Sequence, residues 1–315
     1  VPAQRGRAPM MTPAAGTVSL ITPSHREDLG RSAMLFDSID RHVTSFERHY
    51  VIVHDEDLAL FRPFDRGRRV VLPASEFLPR WLREVPRLRW RNRQYWWSIK
   101  AWPVSGWHTQ QLVKIQAAAC LPEDRFCVID SDNVFFRDFD VAAVASPNIL
   151  PVHIYRDGAG EHRPRHLKWV RTAHRLLGLE EPSFPADDYI DQIIVWDKAI
   201  INAMTARIEA LSRRGWVETL CRARNFSEYM IYGTFVVREA SLAGRFRITT
   251  DSFCRTYWDD DSLHERDVVA MLRSAAPHEV ALCIQSFNPT PLSTISRALQ
   301  AFEAQPVEAP RLKSA

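Results

Sequence analysis

Short, nearly unbroken apolar runs recur along the chain, and each stops abruptly at polar or acidic residues. Val18-Ser19-Leu20-Ile21-Thr22, Tyr50-Val51-Ile52-Val53 and Arg69-Val70-Val71-Leu72-Pro73 have the length and branched content of buried strands. Between the first two, Met34, Leu35, Ile39 and Val43 fall at helical spacing and predict a helix over 32–43. Strand, helix, strand, strand in that order predicts a parallel sheet. Residues 108–119 return to a helical pattern, with Gln110, Gln111 and Lys114 beside Leu112, Val113 and Ile115, and Pro122 stops it. Further strands are predicted over 126–129, 149–154 and 280–286. A helix over 167–177 ends at Gly178 inside an otherwise irregular insertion, 156–188. Residues 189–201 read as buried strand or helix, and 196–211 as an amphipathic helix. No internal repeat is present.

One segment breaks the pattern. Residues 80–107 hold Trp81, Trp90, Trp96, Trp97, Trp102 and Trp107 together with Arg80, Arg83, Arg87, Arg89, Arg91, Arg93 and Lys100. Such a mixture suits a lid or acceptor site that stacks sugar rings, or a patch that settles into anionic lipid headgroups. A nucleic-acid groove is disfavoured, because the chain as a whole carries a net charge of only +3. No apolar run approaches membrane-span length, and no signal-peptide pattern is seen. These features predict a cytoplasmic protein that can lie at the inner face of the membrane. The 5 cysteines are scattered and lack C-x-x-C spacing, against a disulfide framework or a zinc site. Residues 1–16 read as a disordered leader, 17–303 as a single α/β domain and 304–315 as a disordered tail.

The most informative stretch is Phe126-Cys127-Val128-Ile129-Asp130-Ser131-Asp132-Asn133. If it is extended, Asp130 and Asp132 point the same way and can address one cation. Carboxylate oxygens suit Mg²⁺ or Mn²⁺. The carboxyl end of a buried parallel strand is also where open α/β sheets bind ligands. Phe226-Ser227-Glu228-Tyr229 places one acid among apolar neighbours, where desolvation raises a glutamate towards the range of a general base. Asp187, Asp188 and Asp191 cluster before another apolar run, and Asp191-Gln192 interrupts it. The plainer readings stand beside these: helix caps for Asp187 and Asp188, a buried structural carboxylate for Glu228, and a solvated helix face for Gln111 and Lys114. The histidines His264 and His278 read as surface residues. Neither a G-x-G-x-x-G nor a G-x-x-x-x-G-K-[ST] sequence occurs, against a dinucleotide-binding dehydrogenase or a P-loop NTPase.

Taken in order, Gln110-Gln111-Leu112-Val113-Lys114-Ile115, Val128-Ile129-Asp130-Ser131-Asp132, Tyr189-Ile190-Asp191-Gln192 and Phe226-Ser227-Glu228-Tyr229 with Tyr232-Gly233 resemble bacterial glycosyltransferases of the GT-A type. Members sit among genes for surface polysaccharide and glycolipid assembly. The resemblance implies a Rossmann-like, mostly parallel sheet flanked by helices, with the irregular insertion on the acceptor side. It implies a UDP- or GDP-sugar donor, a Mn²⁺ or Mg²⁺ ion at Asp130 and Asp132, and a carbohydrate or glycolipid acceptor. Thr22, Ser24 and Asp55 fall where the nucleotide is held, and Gln111, Lys114 and Ser131 where the phosphates or sugar are. Glu228, with Asp191 as the alternative, falls where inverting members carry the base. Many members present a late-strand histidine to the metal; here Gln285-Ser286 stands at that place. Two rivals remain open. One is a sugar-phosphate nucleotidyltransferase, although Thr22-Pro23-Ser24-His25-Arg26 lacks the glycines of that enzyme's signature loop. The other is a non-catalytic protein that binds lipid or polyanion.

Overall fold

The computed structural model describes residues 17–90, 93–145 and 149–304. The expected leader, 1–16, lies outside this range, as does the expected tail beyond Ala304, the residue that ends the last helix. Five strands make the central sheet: β1 (Val18–Ser24), β2 (His49–Val53), β3 (Arg69–Pro73), β6 (Arg125–Ile129) and β8 (Ile193–Asp197). Their spatial order is β8-β6-β1-β2-β3. All neighbours are parallel except the edge strand β8, which runs antiparallel to β6.

Every residue of β1, β2 and β6 is buried, which is why these strands read as unbroken apolar runs rather than alternating ones. Helix α1 (Leu29–His42) covers the face that carries Thr22 and Ser24: Ser24 Oγ lies 2.6 Å from Ser32 Oγ, and the Phe36 ring meets His49 edge-on. Helix α2 (Gly106–Cys120) packs against β1 and β6. From β1 the chain moves to β2 and β3 on one side, then returns to place β6 on the other. The sheet therefore has its topological switch between β1 and β6.

The tryptophan-rich segment continues the regular structure. It contributes an antiparallel pair, β4 (Leu82–Trp90) and β5 (Arg93–Ser98). A three-stranded sheet sits beside α1, made of β7 (Asn133–Phe135), β9 (Cys254–Tyr257) and β10 (Ala281–Ile284). Helices α6 (Glu265–Arg273) and α7 (Leu292–Glu303) close a second, smaller core over it around Val268, Leu272, Leu282 and Ala298. The insertion carries α3 (Pro164–Leu177), which stops at Gly178 with φ +66°, a left-handed turn that glycine adopts without strain. The ambiguous run over 189–201 resolves into β8 followed by α4 (Lys198–Ser212), with Asp197 capping the helix through Ala199 N and Ile200 N. Helix α5 (Glu228–Arg238) is buried over most of its length and lies so close to Tyr189 that a Cβ on Gly233 would sit 2.2 Å from its ring.

Candidate active site

A cleft of about 700 Å³ opens at the carboxyl ends of β1 and β6, at the switch point. Ser24 and His25 reach it from the end of β1, His54 from the end of β2, and Asp130, Ser131 and Asp132 from the end of β6. Gln285 and Ser286 enter from the end of β10. Trp96, Trp107, Arg165, Trp169 and Arg224 line it as well. Trp107 and Trp169 stack with centroids 5.5 Å apart, and Trp96 Nε1 is buried with no acceptor among the described residues.

Ser131 and Asp132 form a turn directly after β6, so the same-side argument for an extended i, i+2 pair does not hold. The Asn133 backbone and side chain both donate to Asp130 O, at 3.3 and 2.9 Å, and lock the turn. The two carboxylates consequently have different surroundings. Asp130 Oδ1 lies 2.6 Å from the ammonium of Lys114, a side chain only 3% exposed. Lys114 also donates to Glu228 Oε1 and to the Tyr229 hydroxyl oxygen, both at 2.9 Å. Burial alone would discharge Lys114, but Asp130 and Glu228 hold its pKa well above the usual lysine value. The glutamate's pKa is raised by its own burial, against the pull of Lys114.

Asp132 has no such partner. Its Oδ2 accepts from Ser286 N at 3.1 Å, and its Oδ1 is buried with no hydrogen bond among the described residues. Burial, with Asp130 and Asp28 nearby, lifts its pKa to about 7. Asp28 is occupied: it accepts from Ser131 Oγ at 3.1 Å and pairs with His25 Nδ1 at 3.2 Å. Burial pulls against that pair, yet their mutual attraction keeps the Asp28 pKa low and the His25 pKa high.

Several expected site residues stand elsewhere. Gln111 and Lys114 do share a helix face, but it turns to α5: Gln111 Oε1 accepts from Glu228 N at 3.0 Å, while Gln110 and Val113 meet the cleft. Glu228 does not line the cleft; it lies behind Lys114 as that cation's counter-charge. Asp191 belongs to a separate cavity of about 20 Å³, where it accepts from Ser252 Oγ at 2.7 Å. Thr22 faces α1, with its Oγ1 3.0 Å from His49 Nε2. Asp55 accepts two hydrogen bonds from Ser75, and His54 takes the cleft position beside it. Asp187 pairs with Arg156, and the buried Asp188 pairs with His166. His25, Asp28, His54, Arg165, Trp169 and Arg224 were not singled out by sequence; only the position of His25 after the first strand hinted at a site.

Lys114→Met would leave Asp130 and Glu228 facing each other without a cation. It should lower stability by about 3–5 kcal/mol in urea unfolding. Adding Asp130→Asn and Glu228→Gln should recover much of that loss, because an uncharged cluster replaces unpaired carboxylates.

Asp132 gives a pH signature. Its folded pKa lies above that of an unfolded aspartate, so the native state binds more protons and stability falls as pH rises from about 4 to about 7. Asp132→Asn should remove this component. Thermal unfolding in metal-free buffer should find the variant more stable than the parent at about pH 8, with the advantage shrinking towards about pH 4.

No curated protein matches the chain. Among solved structures it is similar to the mouse xyloside xylosyltransferase 1 in its apo form, with a TM-score of 0.46 and 9% identity, over 87% of this chain and 100% of that one. A family model described as a family of unknown function, DUF6492, matches residues 15–306, and the chain belongs to that family.

Proposed function

We propose that this protein is a glycosyltransferase that takes a nucleotide-diphosphosugar and transfers the sugar to a hydroxyl of a carbohydrate or glycolipid. The observation that carries the reading is the cleft at the β1/β6 switch point, with Asp130-Ser131-Asp132 at its edge. The resemblance of that motif and its neighbours to GT-A enzymes supplies the reaction class. Ser24 and His54 stand at the strand ends where a nucleoside would lie, and Arg165 and Arg224 offer cations to phosphate or to an acidic group.

A divalent cation fits the acidic side of the cleft. Asp132 carries a buried oxygen with no hydrogen bond among the described residues, and burial together with the charges of Asp130 and Asp28 raises its pKa to about 7. Asp132 would hold Mn²⁺ or Mg²⁺ together with Asp130 Oδ2, which accepts only a 3.4 Å hydrogen bond from the Tyr229 hydroxyl. The ion's chemistry there is neutralisation of the leaving diphosphate. Among the described residues no third His, Cys, Asp or Glu completes a cluster, so donor phosphates and water would supply the other ligands.

In this reading Lys114 positions Asp130, and Glu228 holds Lys114. An inverting mechanism with Glu228 as base would require that glutamate to leave a buried ion pair, so inversion is not part of the proposal. Asp191 lies in its own cavity and does not line the cleft.

A thermal-shift screen of nucleotides and nucleotide sugars, with and without Mn²⁺, tests the proposal. A donor present at about 100 times its Kd should stabilise the protein by about 2.7 kcal/mol. The shift should depend on metal in the parent and lose that dependence in Asp132→Asn. No shift with any nucleotide sugar, together with no turnover, would overturn the reading.

Glu228→Gln separates the two roles of that residue. We expect lower stability and an activity loss that follows the unfolded fraction. A well-folded variant with turnover reduced by about 10²–10⁴-fold would instead make Glu228 the general base.

A further inference from the structure

The β4–β5 pair and the loop after it carry a surface that the proposed chemistry does not use. Residues 80–107 contain 7 of the chain's 41 lysines and arginines but only one of its 38 acids, Glu84. The rest of the molecule is therefore slightly acidic, and the positive charge is concentrated here. Glu84 is itself engaged by His54 at 2.8 Å.

The same segment displays large apolar side chains to solvent. Trp97 is 53% exposed, and Ile99 and Trp102 are each 75% exposed. Strand alternation explains the arrangement: Trp96 turns inward to His54 and the cleft, so Trp97 must turn outward. Arg80, Arg83 and Lys100 are exposed beside them. Arg83 donates to Arg80 O, and Lys100 lies over the Trp81 ring and 3.8 Å from Glu218. Arg80 and Arg83 have no carboxylate partner among the described residues.

We infer that this face docks on an anionic lipid bilayer. Exposed tryptophans flanked by arginine and lysine match an interface whose outer layer is negative and whose depth is apolar. A soluble polyanion would engage the cations but gives the three exposed apolar side chains nothing to enter. No described helix is long and apolar enough to cross a membrane, so the contact is peripheral. Trp96 and Trp107, in the same segment, line the cleft, and docking here would bring the cleft to the bilayer surface, where a lipid-borne acceptor is presented. The inference goes beyond the transferase reading and does not require it.

Co-sedimentation of the full chain with vesicles tests it. Binding is expected to vesicles of phosphatidylglycerol mixed with phosphatidylcholine, to weaken as salt rises, and to be absent with phosphatidylcholine alone. Each charge removed in Arg80→Gln, Arg83→Gln and Lys100→Gln should weaken partitioning about five-fold. Trp97→Ser with Trp102→Ser should also weaken it and should remove fluorescence quenching by brominated lipid. Absence of binding to anionic vesicles at low salt would overturn the inference. So would vesicle binding that the tryptophan pair leaves unchanged while heparin binds equally well, which would make the face a polyanion site. If a variant fails to fold, the lipid-composition and salt series on the parent still decide. The nucleotide-sugar thermal shift, run on the same proteins, distinguishes failure here from failure of the transferase reading.

Discussion

A buried ammonium organises the centre of this molecule. Lys114 leaves α2, reaches Asp130 at the end of β6 and Glu228 at the start of α5, and receives the Tyr229 ring 4.6 Å from its nitrogen. Isolated, such a charge could not remain in the interior. With two carboxylates and a hydroxyl it becomes the tie between helix, sheet and helix. Gln111 strengthens the same junction one turn earlier, accepting from Glu228 N and donating to Trp107 O. The start of α5 is thereby fixed, with Ser227 capping it through Met230 N. Polar groups inside this core specify register: sliding either helix by a residue would strand a charge.

The second consequence is a cleft with uneven charge. The ion pair between His25 and Asp28 balances itself, and Lys114 answers Asp130 from behind. Asp132 is left with backbone N–H donation from Ser286 and no cation in contact among the described residues. Elsewhere in the same cleft, Arg165 and Arg224 present positive charge. A ligand that brings a cation to one end and an anion to the other satisfies both deficits. A metal-bound diphosphate has that character, which is why the electrostatics and the proposed donor agree.

Much of the fold was legible because parallel strands buried on both faces leave nearly continuous apolar runs, as in Val18–Ser24 and Arg125–Ile129. The acidic edge of the cleft was legible where a run ended in a carboxylate, at Asp130 and Asp132. It was not legible on α2, and the reason is physical. Thr109, Gln111, Leu112, Val113, Lys114 and Ile115 are all buried, so no solvent face existed from which to orient the polar residues. Gln111 and Lys114 were rightly placed on one face, but that face pointed inward. The β4–β5 pair was missed because Pro86 interrupts the pattern of β4 and the consecutive aromatics Tyr95-Trp96-Trp97 hide the alternation of β5. The amphipathic α6 and α7 escaped notice through their short length and their place after a polar stretch.

The Asp130-Ser131-Asp132 spacing illustrates how one motif can divide its labour. Two carboxylates that look equivalent in sequence differ in the surroundings the fold gives them. Asp130 neutralises an interior lysine, and changing it disturbs the packing of two helices; a resulting loss of function would report on structure as much as on chemistry. Asp132 borders the cleft with one oxygen unsatisfied, and among the described residues no ion pair depends on it. Loss of ligand binding on its removal therefore has one physical meaning. The residue that tests the motif is the second aspartate, and the first is the anchor that holds the turn in place for it.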